Sequence, residues 1–506
     1  MNALQQQGTA VAEDGAWRRL DQRMLLVSPV RELGRLLPLL VGIVLAGSGT
    51  GRSGLWGLAG GAVAISLGVL RWFTTTYRIT AAQIQVRKGM LRRQVISVSL
   101  DRVRTVDVSV SAMHRVLGLA RVTVGTGLSD RRRDDALRLD GLSAAAAARL
   151  RDELLHRHDS TEADVAVSQE VLVAASRSWV RYAPFTLSGF VTVFVVLGFA
   201  WRVVSEAHVD PRRLTTVSGQ LSVDPPWLAA AVGVFVLLIL VTAASTLGYV
   251  LAFWGFRLVR TADGVLQVTR GLISTRSTAI EERRLRGMEL SEPLLLRAAR
   301  GARCIAVATG LRVGRGAERG GTLLLPPAPR EEAVRVIAAV LRARDPLTAQ
   351  LARHGAAAHR RRYTRVAIAL AVLAGVVVLL SRLVPMLAWT WEVMLVLIPC
   401  GAALAYDRYR SLGHALVGRF LVARRGSLVR RRFMLDCDGI IGWNLTQSFF
   451  QRRLGLATLV ATTAAGRQRY DVQDVALDEA VRFADQAVPG LLKPFLVDDK
   501  ARAASV

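Results

Sequence analysis

Two runs of basic residues straddle a glycine in the same way at two distant places in the chain. Arg87 and Lys88 precede Gly89 and are followed by Arg92 and Arg93; Arg424 and Arg425 precede Gly426 and are followed by Arg430, Arg431 and Arg432. Cationic groups gathered around one tight turn form a tip whose chemistry is electrostatic. Each basic side chain near an anionic leaflet gains about 1 kcal/mol, so the cluster suits phosphate headgroups. These residues are the lipid-headgroup candidates. A third run, Arg360-Arg361-Arg362, stands just before an apolar stretch and reads as a topology anchor at the cytoplasmic end of a span.

Other chemistries find little support. Cys304, Cys400 and Cys437 form no CxxC, and the 7 histidines form no HExxH, so no metal site or disulfide framework is expected. No phosphate-cradling or dinucleotide loop occurs, and no Ser, His and Asp stand at a catalytic spacing, so neither a cofactor nor an enzyme is expected. Arg131-Arg132-Arg133 is neutralised by Asp130, Asp134 and Asp135, which argues against a nucleic-acid partner.

The elements that must position these residues lie partly in a membrane. The chain has 506 residues, 52% of them apolar, with a mean hydropathy of +0.33, too apolar for disorder and too long for one soluble core. Six stretches carry no charge, 36–51, 54–70, 183–201, 225–256, 366–381 and 393–406, and they fall into three close pairs. Each pair is expected to form a transmembrane hairpin, with Trp56, Trp72, Trp201, Trp227, Trp254, Trp389 and Trp391 at or near the ends. The loops inside the pairs hold only 5 of the 67 basic residues, which puts both termini and all large polar regions in the cytoplasm. No ionisable group lies within a span, which argues against an ion or proton pathway. A multi-pass protein of a bacterial plasma membrane is expected.

The polar regions repeat. Leu117-Gly118-Leu119-Ala120 follows Gly89 with Gly118 29 residues on, and Leu454-Gly455-Leu456-Ala457 follows Gly426 at the same spacing; a degenerate middle copy sets Gly301 30 residues after Gly271. In the first copy 84–86, 95–100, 106–110 and 122–124 alternate apolar and polar residues, as half-buried antiparallel strands do. Each copy closes with a helix, at 143–156, 330–342 and 476–487, with Ser143 and Asp474 as caps and Pro329 as the entry to the second.

Tyr77-Arg78-Ile79-Thr80, the Arg-rich glycine turn, the run from Leu100-Asp101-Arg102-Val103 to Val108, and Arg115-Val116-Leu117-Gly118-Leu119-Ala120 together resemble bacterial pleckstrin-homology-like membrane proteins of the YdbS/YdbT type. Gln447-Ser448-Phe449-Phe450-Gln451-Arg452-Arg453 carries the likeness in the third copy, whereas the second has Glu281-Glu282-Arg283-Arg284-Leu285 in place of the Asp-Arg-Val element. The resemblance implies α-helical transmembrane hairpins alternating with three cytoplasmic α+β pleckstrin-homology-like (PH-like) domains, each an antiparallel sheet with a C-terminal helix. By analogy with phosphoinositide-binding relatives of that fold, the basic hairpin would be the headgroup site.

The expected order is an N-terminal tail (1–35), hairpin 1 (36–73), domain 1 (74–158), a linker (159–182), hairpin 2 (183–253), a degenerate domain 2 (254–345), a basic linker (346–365), hairpin 3 (366–406), domain 3 (407–490) and a C-terminal tail (491–506). The function expected is a non-enzymatic binding and assembly scaffold at the inner leaflet. The resemblance implies envelope stress or defence as its setting, anionic lipids as ligand and a smaller single-domain relative as protein partner. The alternative is a component that moves or senses lipid or another hydrophobic substrate.

Overall fold

The computed structural model describes residues 105–125, 137–143, 170–186, 226–310, 322–384 and 390–492, with parts of 17–24, 66–99, 145–150 and 193–198. Nearly all of hairpin 1, most of 183–225, the loop bearing Arg131, Arg132 and Arg133, and residues 493–506 of the C-terminal tail lie outside the described residues. The chain divides into two compact units, Met1–Glu282 and Arg283–Val506. This division falls inside the stretch expected as domain 2.

In the first unit, β1 (Arg18–Arg19), β2 (Thr76–Ile79), β3 (Gln83–Lys88) and β4 (Gln94–Ser99) form one antiparallel sheet in chain order. The chain continues through β5 (Thr105–Val110), the short helix α1 (Ala112–Val116), β6 (Leu119–Gly125) and β7 (Leu137–Ser143). Alternation sends one face of each strand inward: Ile84, Val86 and Val98 share a core with Val106, Leu119, Val122 and Leu139. After β8 (Glu170–Ala174) comes the long helix α2 (Pro226–Phe253), then β9 (Arg257–Arg260), β10 (Val265–Arg270) and β11 (Thr275–Glu281). These strands join the first repeat in one seven-stranded sheet, β7-β6-β5-β11-β10-β9-β8. The seam is β5 against β11, antiparallel, with Ser109 opposite Arg276.

The second unit repeats the arrangement one step further along. It runs β12 (Leu285–Pro293), the short helix α3 (Leu294–Ala298), β13 (Gly301–Ala308), β14 (Leu323–Pro329), the closing helix α4 (Arg330–Leu341) and the turn α5 (Asp345–Thr348). Two long helices follow, α6 (Ala356–Leu383) and α7 (Thr390–Arg410). The last repeat comprises β15 (Gly413–Val417), β16 (Phe420–Arg425), β17 (Val429–Asp436), β18 (Gly442–Thr446), the short helix α8 (Phe449–Arg453), β19 (Leu456–Thr462), β20 (Arg469–Ala476) and the closing helix α9 (Leu477–Ala487). β12 pairs with β17 in a six-stranded sheet, β14-β13-β12-β17-β16-β15, with Ser291 opposite Arg431. The sheet β18-β19-β20 is separate, and its Leu459 and Val472 pack with Phe433, Leu435 and Phe483 of α9 in one core.

Among the described residues three helices, Ala231–Phe253 within α2, α6 and α7, are long and apolar enough to cross a membrane. Their apolar residues stand outward, as Phe235, Leu238, Leu379 and Leu395 do, which water would penalise and hydrocarbon would not. α6 and α7 pack as a helical hairpin. Gly401 of α7 lies so close to Val366 and Leu370 of α6 that a methyl group would come within about 3.0 Å of Val366.

The repeat is set by backbone geometry. Gly271 and Gly426 sit in their turns at φ +108° and +95°, where a Cβ would overlap the carbonyl oxygens of Ser274 and Val429. The second anchor is the left-handed residue that ends each short helix. Gly118 (φ +68°) and Gly455 (φ +63°) take that place, but in the middle copy Arg300 (φ +57°) does, and the adjacent Gly301 only opens β13. The spacing from Gly271 is therefore 29 residues in all three copies, not the 30 expected from Gly301. Asp474 also departs from expectation, since the residue capping α9 is Ala476. Ser143, by contrast, accepts the Ala146 amide as a cap does.

A side chain in the left-handed region costs roughly 1 kcal/mol. Arg300→Gly is therefore expected to raise stability by about that amount, seen as a small upward shift of the thermal midpoint in detergent.

Candidate membrane-proximal site

The polar end of α6 enters the last repeat through a buried carboxylate. A register irregularity between Ala457 and Leu459 where β19 pairs with β20, with Asp474 at φ +59°, turns the Asp474 side chain inward until none of it is exposed. Asp is among the few residues that tolerate that backbone region. Arg361 pairs with Asp474 Oδ1, Arg362 Nη2 lies 2.6 Å from Oδ2, and Gln451 Nε2 donates to Oδ1 at 2.9 Å. Arg361 also donates to Ser448 Oγ, the cap of α8, at 3.3 Å, and Arg362 donates to Gln473 Oε1 at 3.2 Å. Arg361 and Arg362, expected as topology anchors, are thus held inside the domain, while Arg360 is exposed.

Beside this carboxylate lies a histidine pair. His354 Nδ1 is 3.0 Å from the Asp474 carbonyl oxygen and its Nε2 is 3.0 Å from His414 Nδ1. A carbonyl only accepts, so Nδ1 carries the proton and Nε2 accepts from His414. Burial, and then the neighbouring His414, pull His354 down to about 4; burial likewise lowers His414 against the pull of Glu479, 3.4 Å away. Tyr409 of α7 donates to the His354 carbonyl at 2.9 Å, so both long helices meet here.

The same end of α7 is held in a similar way by Asp407. Asp407 receives Arg430 of β17 at 2.8 Å and Arg297 of α3 at 3.1 Å. The other headgroup candidates of the third copy are equally engaged. Arg424 donates to the carbonyls of Ser411 and Arg410, both at 3.1 Å, Arg425 pairs with Asp471, and Arg432 donates to the carbonyls of Pro346 at 2.8 Å and Ala349 at 3.0 Å. Burial lowers Arg432 to about 10, so it stays charged at neutral pH. Arg431 lies 3.4 Å from Glu289, a carboxylate that burial raises against the pull of Arg467. In the first copy the Arg87 guanidinium sits 4.4 Å from the Trp17 ring centroid; Arg92, Arg93 and the Lys88 side chain lie outside the described residues.

The acidic partners Asp407 and Glu289 were not singled out from sequence, and Asp474 was expected only as a helix cap. Asp407 alone has a visible signal, as the first charge after the uncharged run 393–406. The short helices were missed too. Each opens on exposed apolar side chains, Met113 on α1, Leu294 and Leu295 on α3, and Phe449 and Phe450 on α8 at 58% exposure each. Each is bonded to a turn or helix end: Arg115 donates to the Leu272 carbonyl at 2.6 Å, Arg297 to the Ser427 carbonyl at 3.4 Å, and Ser448 accepts from Arg361. Leu272 in turn donates its amide to Leu251 of α2 at 3.0 Å.

Antiparallel sheets with closing helices, tied among the described residues to apolar helices, define a membrane-associated protein built from PH-like domains. The model of the bacterial PH domain family matches residues 28–158 and 364–487, just over half of the chain, and the chain belongs to that family. Both matched regions begin ahead of a charge-free stretch, at 36–51 and at 366–381, so apolar segment and domain recur together in the sequence. Comparison with curated proteins and with solved structures gave no match.

Removing one partner of a buried pair leaves the other charge stranded, at a cost of about 3–5 kcal/mol. Asp474→Ala is expected to lose stability of that order and to expose the start of α6 to protease, whereas Asp438→Ala, on an exposed residue, should change little. Acid gives a second signature. The native state keeps His354 neutral down to about pH 4 while the unfolded chain takes up a proton near 6.5, so stability is level above about 6.5 and falls between 6.5 and 4. A shift of this size corresponds to roughly 3 kcal/mol. Midpoints measured at pH 7.5 and 4.5 should converge in His354→Asn relative to the unaltered protein.

Proposed function

We propose that the protein is a non-enzymatic, multi-pass scaffold of the YdbT-like kind, whose PH-like domains lie against the inner leaflet of a bacterial plasma membrane and gather anionic lipid and protein partners, with envelope stress or defence as the setting. The supporting observation is the set of exposed apolar residues on the three short helices, each bonded to a turn or to a polar helix end. Arg115 of α1 bonds the turn that bears Ile273, and Leu294 donates its amide to the carbonyl of Leu428, so within each unit exposed apolar residues of two repeats gather at a tip of that unit. Such a tip is suited to the boundary between headgroups and acyl chains, where each large side chain withdrawn from water contributes about 1.5–3 kcal/mol. Basic charge then acts over the leaflet as a whole, since the third-copy hairpin arginines already have partners within the fold.

The test is an environment-sensitive fluorophore attached at Phe449→Cys in the full chain, reconstituted into liposomes that carry nitroxide lipid near the headgroups. Blue-shifted emission, with quenching that grows with anionic lipid and weakens with salt, is expected. Emission as in water, without quenching, would sink the reading.

A further inference from the structure

Twice in this chain the first strand of a repeat's second sheet is covered by the third strand of the next repeat: β5 by β11 and β12 by β17. The third such strand, β18, pairs only with β19 among the described residues, and at the other end β4 pairs only with β3. We propose that β18 of one copy of this chain receives β4 of a second copy, in the register of the two internal seams, so that copies join head to tail.

Four further observations bear on this pairing. The first is the charge at the seams. Counting back four residues from the caps of the short helices, Ser111, Pro293 and Ser448, gives Asp107, Glu289 and Asn444. Counting on five from the turn glycines Gly89, Gly271 and Gly426 gives Gln94, Arg276 and Arg431. Asp107 pairs with Arg276 and Glu289 with Arg431, so each internal seam sets a carboxylate against a guanidinium. At the two open edges both positions are amides, which suit each other and would strand the charge of either internal partner.

Gly442 is the second. Its place is held by Gly287 at one internal seam, where a Cβ would overlap the Met434 carbonyl oxygen of β17, and by Thr105, opposite Ile280, at the other; at Gly442 a Cβ meets nothing within 4 Å. The edge is therefore open to an incoming strand at this place. Third, Arg115 and Arg297, each four residues past its cap, donate to the carbonyl just after the next repeat's turn glycine, at 2.6 and 3.4 Å. Arg452 holds the same place and is exposed, with no side-chain partner among the described residues.

Last, the internal register carried over to the new seam sets Leu445 opposite Val95, two apolar residues exposed by 41% and 51%. Each would cover the other. Because donor and acceptor strands differ, the contact is heterologous.

The proposal names the protein partner within the scaffold reading, but it is tested independently of the apolar tips, which can enter the membrane whether or not copies join. Two full-length chains with different tags, one Val95→Cys and the other Leu445→Cys, are co-expressed and oxidised in membranes. A dimer-sized adduct bearing both tags is expected, with none from two Val95→Cys chains, two Leu445→Cys chains or chains with only the native cysteines. Adding Asn444→Asp to the Leu445→Cys chain, which sets an unpaired carboxylate against Gln94, should cut the adduct about tenfold, while its thermal midpoint stays unchanged because Asn444 is exposed. Absence of the mixed adduct, equal adducts from same-site pairs, capture of a different protein in place of the Val95→Cys chain, or full adduct with Asn444→Asp would each overturn the proposal.

Discussion

An unsatisfied sheet edge is the constraint from which most of this architecture follows. A strand whose amides and carbonyls point at nothing invites pairing, and proteins cover or blunt such edges. Here the edge left by the second sheet of one repeat is covered by the first sheet of the next, so β5 and β12 become interior strands only when β11 and β17 arrive. The register places Arg276 beside Asp107 and Arg431 beside Glu289, and neutralises both within the seam. It also carries the turn of the incoming sheet to the short helix of the preceding repeat, where Arg115 and Arg297 find its carbonyls. Pairing, charge and apolar tips are consequences of one geometric relation.

The apolar helices are joined to this frame at carboxylates. Asp474 of the last repeat collects Arg361 and Arg362 from α6, and Asp407 of α7 collects Arg297 and Arg430 from the fold. Buried or half-buried pairs of this kind add little net stability over apolar packing, because desolvation offsets much of the attraction, but a misaligned arrangement would strand a charge. Their effect is to select one register between helix and domain. The histidine pair beneath Asp474 works in the same sense, since its single run of donors and acceptors is satisfied only when His354, His414 and the irregular stretch of β20 are in place together.

The sequence carries some of this and hides the rest for identifiable reasons. Alternation at 84–86, 106–110 and 122–124 locates β3, β5 and β6, because one buried face forces a period of two. The turn glycines are legible because a Cβ cannot fit at Gly271 or Gly426. Alternation says nothing about which strand lies alongside, so a chain with three similar repeats reads as three closed domains even though the middle one contributes to two different sheets. The middle copy's helix end is hidden because Arg300 tolerates a left-handed backbone, which drew the eye to Gly301. Asp474 resembles a cap for a related reason: a small polar residue just before a helix also suits an irregular strand end, and only the fold distinguishes the two.

The arginines show how composition can mislead about partners. With 67 basic against 39 acidic residues, the excess invites a reading in which cationic side chains await an external anion. Coulomb attraction is only part of what arginine supplies. Its planar head carries five donors, and the last carbonyls of a helix or a tight turn need donors as much as carboxylates need cations. Arg424 serves Arg410 and Ser411 at the end of α7, Arg432 serves Pro346 and Ala349 around α5, and Arg115 and Arg297 serve turns. Arg297 also meets Asp407, but each of these bonds to a carbonyl engages a positive side chain without needing a negative one. A fold that closes its helix ends and turns with arginine therefore accumulates net positive charge as it becomes internally satisfied, and part of the +28 reflects construction of the domains more than the surface they face.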